Sequence, residues 1–344
     1  MTARGALLLG LLLLLSGPTN AQVGRLPRPA FPLQTAVEGS AVRLTWSEPE
    51  GPAPKRRQLL RSTTDLRATL DARAFPIAIL QVETPGRFDD PAPPQGVDLF
   101  YRVKLVYPDG KAVYSAVAPA VLKASPLPKL QRPHLLVDKS ALVLTVFDGE
   151  TAVRRYPIAL GANPTGRKLH QDRASTPEGL YKISGVQPRA TYYKAYDLNY
   201  PNAVDRARYN ALGATGGLPS PRPSIGGEIQ IHGHGITGHW TWGCIALRNE
   251  DMDGLFSHPE IALGVPVAVV GLELELADLE CERGLSQGER RVVMEHLVAS
   301  RLASGRSDNH WIYGLCKLQS QNGLMVTGMF DRATRRLLEK QGVI

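Results

Sequence analysis

One stretch of the sequence concentrates side chains capable of covalent chemistry: Glu228-Ile-Gln-Ile-His-Gly-His-Gly-Ile-Thr-Gly-His-Trp-Thr-Trp-Gly-Cys-Ile-Ala-Leu-Arg248. A thiol is a strong nucleophile only as thiolate, and a nearby imidazole can take its proton and later return it to a leaving amine. Cys244 and His232 supply that pair. From Glu228 to His232 polar and apolar residues alternate, which sends Ile229 and Ile231 into a core and leaves His232 on the other face of a strand end. Cys244 follows Gly243 and precedes Ile245-Ala246-Leu247, a glycine turn feeding a buried strand. The backbone amides of Trp242, Gly243 and Cys244 would then face the oxyanion of a tetrahedral intermediate, an interaction worth about 3 kcal/mol in other acyl-transfer enzymes. Acyl transfer is the reaction class these residues point to, and it needs no metal and no cofactor. Two alternatives use the same residues. Cys244 is an inert buried thiol in a catalytically silent binding or scaffold protein, or His232, His234, His239 and Cys244 hold zinc for a hydrolase, although their spacing matches no standard zinc pattern. Outside a metal site, His239 and His258 are expected at the surface.

The elements that must position this pair come from a chain of 344 residues, 43% hydrophobic and 21% charged, a make-up that excludes a mainly disordered or fibrous protein. Only 6% of residues are aromatic, while 27 prolines and 33 glycines favour short strands and punctuated loops over a helix bundle. The formal charge of +8 suits an acidic partner such as nucleic acid, anionic lipid or anionic wall polymer, and charge alone does not choose among them. The start reads as an export leader over 1–21. Arg4 is its positive end, Ala6 to Leu15 its apolar run, and Thr19-Asn20-Ala21 the small residues before a cut. The run is about half of the ~20 residues a spanning helix needs, so a soluble protein outside the cytoplasm is expected.

The expected fold is mainly β and multidomain. Residues 30–124 read as a β-sandwich, with strands at Ala41 to Trp46, Gln58 to Arg61, Ile77 to Val82, Leu99 to Tyr107 and, after a Pro-Asp-Gly turn, Ala112 to Val117. Residues 125–133 form a proline-rich linker. A second β-rich block occupies 134–272, with strands at Leu135 to Asp138, Ala141 to Phe147, Ala152 to Leu160 and Pro266 to Val270. The segment 280–344 turns helical. The capping box Ser286-x-x-Glu289 opens a helix through Leu302 that Gly305 stops, and a last helix runs from Asp331 to Lys340. Cys281 and Cys316 are the remaining thiols. In an oxidising compartment their pairing as a disulfide, leaving Cys244 free, is the economical arrangement.

Leu44-x-Trp46 and Tyr101-x-Val103-x-Leu105, leading into the Asp109-Gly110 hairpin, resemble the core strands of a fibronectin type III module, a resemblance that implies fold and not chemistry. Ile231-His232-Gly233 and Thr241-x-Gly243-Cys244-Ile245 resemble the signature of the L,D-transpeptidase catalytic domain of the YkuD type. Tyr156-Pro-Ile-Ala-Leu-Gly161 and Thr176-Pro-Glu-Gly-Leu-Tyr181 match further segments often seen in that family. The resemblance implies that Cys244 and His232 are catalytic and that Gly233, His234, Thr241 and Arg248 orient groups or bind substrate. It further implies that the substrates are peptidoglycan stem peptides, with an amine, a lipoprotein lysine or water as acyl acceptor. No nucleic-acid partner follows from it. The sequence departs from the family at Trp242, where histidine is usual, and at Ala246, where arginine or asparagine is common. Leu318-Gln319, Asn322-Gly323 and Gly328-x-Phe330-Asp331-x-x-Thr334 resemble part of a three-helix peptidoglycan-binding module, interrupted over 304–313.

Overall fold

The computed structural model describes residues 26–344 apart from Thr215, so the expected leader lies outside the described residues. The alternating strands near the N-terminus pack as two sheets. One joins β1 (Pro29–Phe31), β4 (Arg56–Ser62), β5 (Ile77–Gln81), β7 (Asp98–Val106), β8 (Ala112–Ser115) and β9 (Ala118–Val121). The other joins β2 (Gln34–Glu38), β3 (Ala41–Thr45) and β6 (Arg87–Asp90). Leu44, Trp46, Tyr101, Val103 and Leu105 meet in the core between them, the face that period-two alternation assigns to them. Arg102, on the opposite face of β7, is buried as well. It donates to the Ser115 and Pro27 carbonyls at 3.0 and 2.6 Å and lies over the Tyr114 ring.

The second unit is one mixed eight-stranded sheet. Its members are β10 (Pro133–Asp138), β11 (Val143–Asp148), β12 (Thr151–Pro157), β13 (Gly179–Ala190), β14 (Tyr193–Leu198), β15 (Gln230–His232), β16 (Ile245–Ala246) and β17 (Pro266–Val270). They run in the order β12-β11-β10-β17-β13-β14-β15-β16. The helices α1 (Ala203–Ala214) and α2 (Asn249–Phe256) belong to the same unit. Its core takes Leu135, Val137, Leu144, Ile158, Ile229, Ile231, Ile245 and Leu247. Burying one such side chain contributes about 1.5–3 kcal/mol.

Two features tie the sandwich to this sheet. Ala78 of β5 sits in the second unit's core. Arg61, paired with Asp90 at 2.6 Å in the buried interior, also donates to the Ala141 carbonyl. The proline-rich connector is docked too, since Leu130 is buried in that core and the amides of Gln131 and Arg132 bond Asp148 Oδ1. It does not act as a loose linker.

The tail holds α3 (Leu276–Arg283), α4 (Gln287–Ala299), α5 (Asp308–Gln321) and α6 (Arg332–Lys340). The capping box at Ser286 and Glu289 forms as expected, and Asp331 caps α6 through the Thr334 amide at 2.7 Å. One expectation fails. Helix α4 ends at Ala299 because the chain turns left-handed at Arg301 (φ 58°), which drops Leu302 into the core outside any helix. The interrupted stretch 304–313 contains the start of α5, capped by Ser307. The tail packs back on the second unit. Met329, Leu274 and Leu279 join Ala268 and Val270, while Cys316 and Val326 join Ala207 of α1.

Candidate active site

Strands β15 and β16 pair in parallel with Ile231 opposite Ile245, which brings the C-terminal end of the histidine strand beside the residue after Cys244. The pairing anchors both ends of the glycine-rich loop between them. His232 is buried (1% exposed) and its Nδ1 lies 2.7 Å from the Gly233 carbonyl oxygen. A carbonyl only accepts, so Nδ1 carries the proton and Nε2 presents its lone pair. Among the described residues, Nε2 has no hydrogen-bond partner. Gly233 is required here because a Cβ would stand 2.6 Å from Asn249 Oδ1 and 3.0 Å from Tyr193 Cβ. The rings of Tyr192 and Trp240 pack on the imidazole with centroids 5.0 and 5.4 Å away. Burial holds the imidazole pKa below its ordinary value, reinforced by His234, so the ring is neutral near pH 7 and able to accept a proton.

Cys244 is a free, partly buried thiol. Its Sγ approaches the Glu228 carbonyl at 3.5 Å and accepts from the Gln230 amide at 3.4 Å. Burial pushes the thiol pKa up, while the Gln230 amide and the Lys168 ammonium pull it back down. The turn before it is bracketed by Thr241, whose Oγ1 accepts from the Gly243 amide at 3.2 Å and donates to the Cys244 carbonyl at 2.8 Å. The Gly243 amide is thus committed within the turn. This corrects the expectation that all three amides face the oxyanion; the amides of Trp242 and Cys244 are the candidates. Gly243 sits at φ +128°, and a Cβ there would meet the Ser175 carbonyl oxygen at 2.7 Å. The turn is held from behind by the segment after β12, through Ala162 N to Thr241 O at 2.8 Å and a bridge from Ala159 to Ala246. Trp242, where the resemblance leads one to expect histidine, is 74% exposed and lines the same cleft as Cys244.

His232 and Cys244 line one cleft of about 830 Å³, together with Tyr192, Trp240, Asp197 and Glu228. Thr241 and Trp242 line the same cleft and Gly233 holds His232 from behind, whereas other expected site residues are placed differently. Arg248 is held bidentately by Asp251 at 2.7 and 2.6 Å and by Glu250 at 3.1 Å. It faces a separate cleft against the sandwich, so it is not poised for a substrate carboxylate. His234 lies beyond the strand end at φ 81°, with its amide bonded to Asn249 Oδ1, and its ring packs beside Tyr192 and Trp240 with centroids 5.8 and 5.6 Å away. His239 is buried, contrary to expectation. Its Nδ1 accepts from the Leu160 amide at 3.0 Å and its own amide reaches the Ala74 carbonyl of the sandwich at 3.3 Å. The sandwich thereby supports the loop that carries Trp240. Among the described residues, no three His, Cys, Asp or Glu side chains converge as a metal cage. Cys281 and Cys316 are free thiols, which corrects the expected disulfide. Cys281 borders the tail core and accepts from Arg335 Nε at 3.4 Å, whereas Cys316 packs with Ala207 and Val326 in a different cluster.

Sequence reasoning missed Lys168, Tyr192 and Trp240. Of these, Trp240 lies inside the motif stretch, while Lys168 falls between the two matched flanking segments with no motif of its own.

Residues 132–269 match the family model of the YkuD L,D-transpeptidase catalytic domain. The "Putative L,D-transpeptidase YafK" of Escherichia coli (strain K12) is 29% identical over 103 residues. That alignment covers 29% of this chain and 35% of YafK, so the chain spans about a third of the length of this curated relative. Among solved structures, an L,D-transpeptidase from Mycobacterium smegmatis is similar over 71% of this chain and 96% of its own, at 13% identity and a TM-score of 0.26. An L,D-transpeptidase from Xylanimonas cellulosilytica is similar over 42% of this chain and 64% of its own, at 16% identity and a TM-score of 0.27. The YkuD-type segment coincides with the eight-stranded sheet that carries His232 and Cys244.

Proposed function

We propose that the chain is an exported cysteine L,D-transpeptidase acting on peptidoglycan stem peptides. One observation carries the reading. The bond from His232 Nδ1 to the Gly233 carbonyl fixes the tautomer, so that an unpartnered Nε2 lone pair is buried at the cleft that Cys244 also lines. Nε2 takes the thiol proton and Sγ adds to the carbonyl carbon of the third stem residue. The resulting oxyanion faces the amides of Trp242 and Cys244. Collapse breaks the C–N bond, and the imidazolium gives its proton to the departing D-alanine amine. The thioester is then opened by an amine or by water, whose proton passes to His232 while the thiol is restored. An amine of a second stem makes a 3→3 cross-link, a lipoprotein lysine makes an anchor, and water trims the stem.

The leader-like start and the net positive charge, which stays positive when Arg4 leaves with the leader, support action on an anionic wall outside the cytoplasm. Among the described residues, no helix is long and apolar enough to cross a membrane. The sandwich reads as a fibronectin type III-like support, and the tail as a segment that resembles part of a peptidoglycan-binding module. The test is mass spectrometry of tetrapeptide muropeptides incubated with the protein. D-alanine release with a dimer, an amine adduct or a tripeptide is expected, insensitive to chelators and absent in Cys244→Ala. Products that persist in Cys244→Ala, or no D-alanine release from any tetrapeptide, would overturn the reading.

A further inference from the structure

The second unit buries two lysines in contrasting ways. Lys139 pairs with Glu178 at 2.9 Å and donates to the Thr176 carbonyl at 2.8 Å, the usual provision for a buried ammonium. Lys168 is 7% exposed, and among the described residues it makes no close ion pair, the Asp172 carboxylate acting on it only from further off. Its Nζ instead donates to the carbonyl oxygen of Trp242 at 3.2 Å, two residues before the thiol. It also stands 3.3 Å from where a Cβ on Gly243 would lie, so the missing side chain of Gly243 leaves the ammonium its place against the turn. A desolvated cation without a carboxylate is costly, unless its counter-charge forms during the reaction.

We propose that Lys168 is a positioning residue for the Cys244 turn, holding the Trp242 carbonyl while its ammonium serves as counter-charge to the Cys244 thiolate. The proposal rests on the reading that Cys244 is the nucleophile. The charged groups around the pair are few. Glu228 and Asp197 face the thiol and oppose ionisation, while His232 lines the same cleft as a neutral base. Asp172 in the short turn 171–173 and His170 just before it flank Lys168, and Asp205 and Arg208, paired with each other, border the small cavity beside it. Lys168 is thus the cation set against those two carboxylates. The thiolate coupling also raises the ammonium's pKa against the lowering by burial.

The test follows the pH dependence of iodoacetamide capture on the Cys244 peptide by mass spectrometry, in full-length protein. Lys168→Gln keeps a donor for the Trp242 carbonyl and removes the charge. Its midpoint is expected to rise by about one pH unit, which slows capture near neutral pH about tenfold. Turnover should fall in kcat with KM nearly unchanged, and Lys168→Arg should return the midpoint toward the parent. An unchanged midpoint in Lys168→Gln overturns the proposal. A second measurement needs no change at Lys168. The Nζ resonance of ¹⁵N-lysine-labelled protein should titrate at lower pH in Cys244→Ala than in the parent, and an equal midpoint overturns the proposal as well. Both readouts follow proton equilibria, not turnover. They fail independently of the proposed function, which falls if Cys244→Ala remains active.

Discussion

Cys244 and Cys316 share a side chain and are both withdrawn from water, but their surroundings set them apart. Cys316 lies among Ala207, Val326 and Ile312 in the seam between α1 and α5, where burial pushes its pKa up to about 12. No base faces it among the described residues, and it acts as a small hydrophobe. Cys244 is raised by burial too, but it sits on a glycine turn with an amide at its sulfur, an ammonium behind the turn and a neutral imidazole in the same cleft. A thiol becomes useful through the dipoles and charges arranged around it, not through exposure alone.

The largest expected effect is at Cys244 itself. Cys244→Ala should abolish turnover and labelling by thiol-reactive acylating agents, while Cys316→Ala leaves kcat/KM within about twofold and lowers stability by about 1–2 kcal/mol through the lost packing. Steady-state rates beside urea unfolding check both; a silent Cys244→Ala would erase the contrast. Gly233→Ala comes next. Its Cβ would displace Asn249 and Tyr193, and the Gly233 carbonyl that holds His232 would shift with them. A loss of about tenfold to a hundredfold in kcat is expected, with a stability cost of about 1–3 kcal/mol.

A further contrast separates two histidines. Burial lowers the pKa of both, but His239 falls to about 4 from 6.5 and its Nδ1 is occupied by the Leu160 amide. The unfolded chain takes up that proton first. The stability contributed by neutral His239 is therefore complete above pH 6.5 and is lost as pH falls toward 4, by about 3 kcal/mol. Urea unfolding across that range should show the loss in the parent and flatten it in His239→Gln. For His232, the acid limb of kcat/KM should lie below the ordinary imidazole value of 6.5, since the lowered pKa keeps the base neutral further into acid. The smallest effect is on thiol counts. Unfolding without reductant should release three reactive thiols, with Cys316 protected until the tail opens.

The legible parts were those written in local periodicity. Leu44, Trp46, Tyr101, Val103 and Leu105 alternate and are buried together, and Ile229 and Ile231 send His232 outward to the cleft as their spacing requires. The capping residues Ser286 and Asp331 also mark real helix starts. What stayed hidden depends on contacts between distant segments. Counting thiols said nothing about the separate clusters that keep Cys281 and Cys316 apart. A free-looking Arg248 gave no sign of its grip by Asp251 and Glu250. Lys168, 76 residues before the nucleophile, meets it only through the folded turn. The support that Ala74 gives the active-site loop is likewise a product of tertiary docking between two units that read separately in the sequence.

The most direct measurement is intact-protein and peptide-level mass spectrometry of the protein quenched during incubation with a tetrapeptide stem. The account predicts a covalent tripeptidyl adduct on Cys244, formed as D-alanine is released and lost on adding an amine acceptor. Product formation with no adduct on Cys244, or an adduct on another residue that supports full turnover, would contradict it.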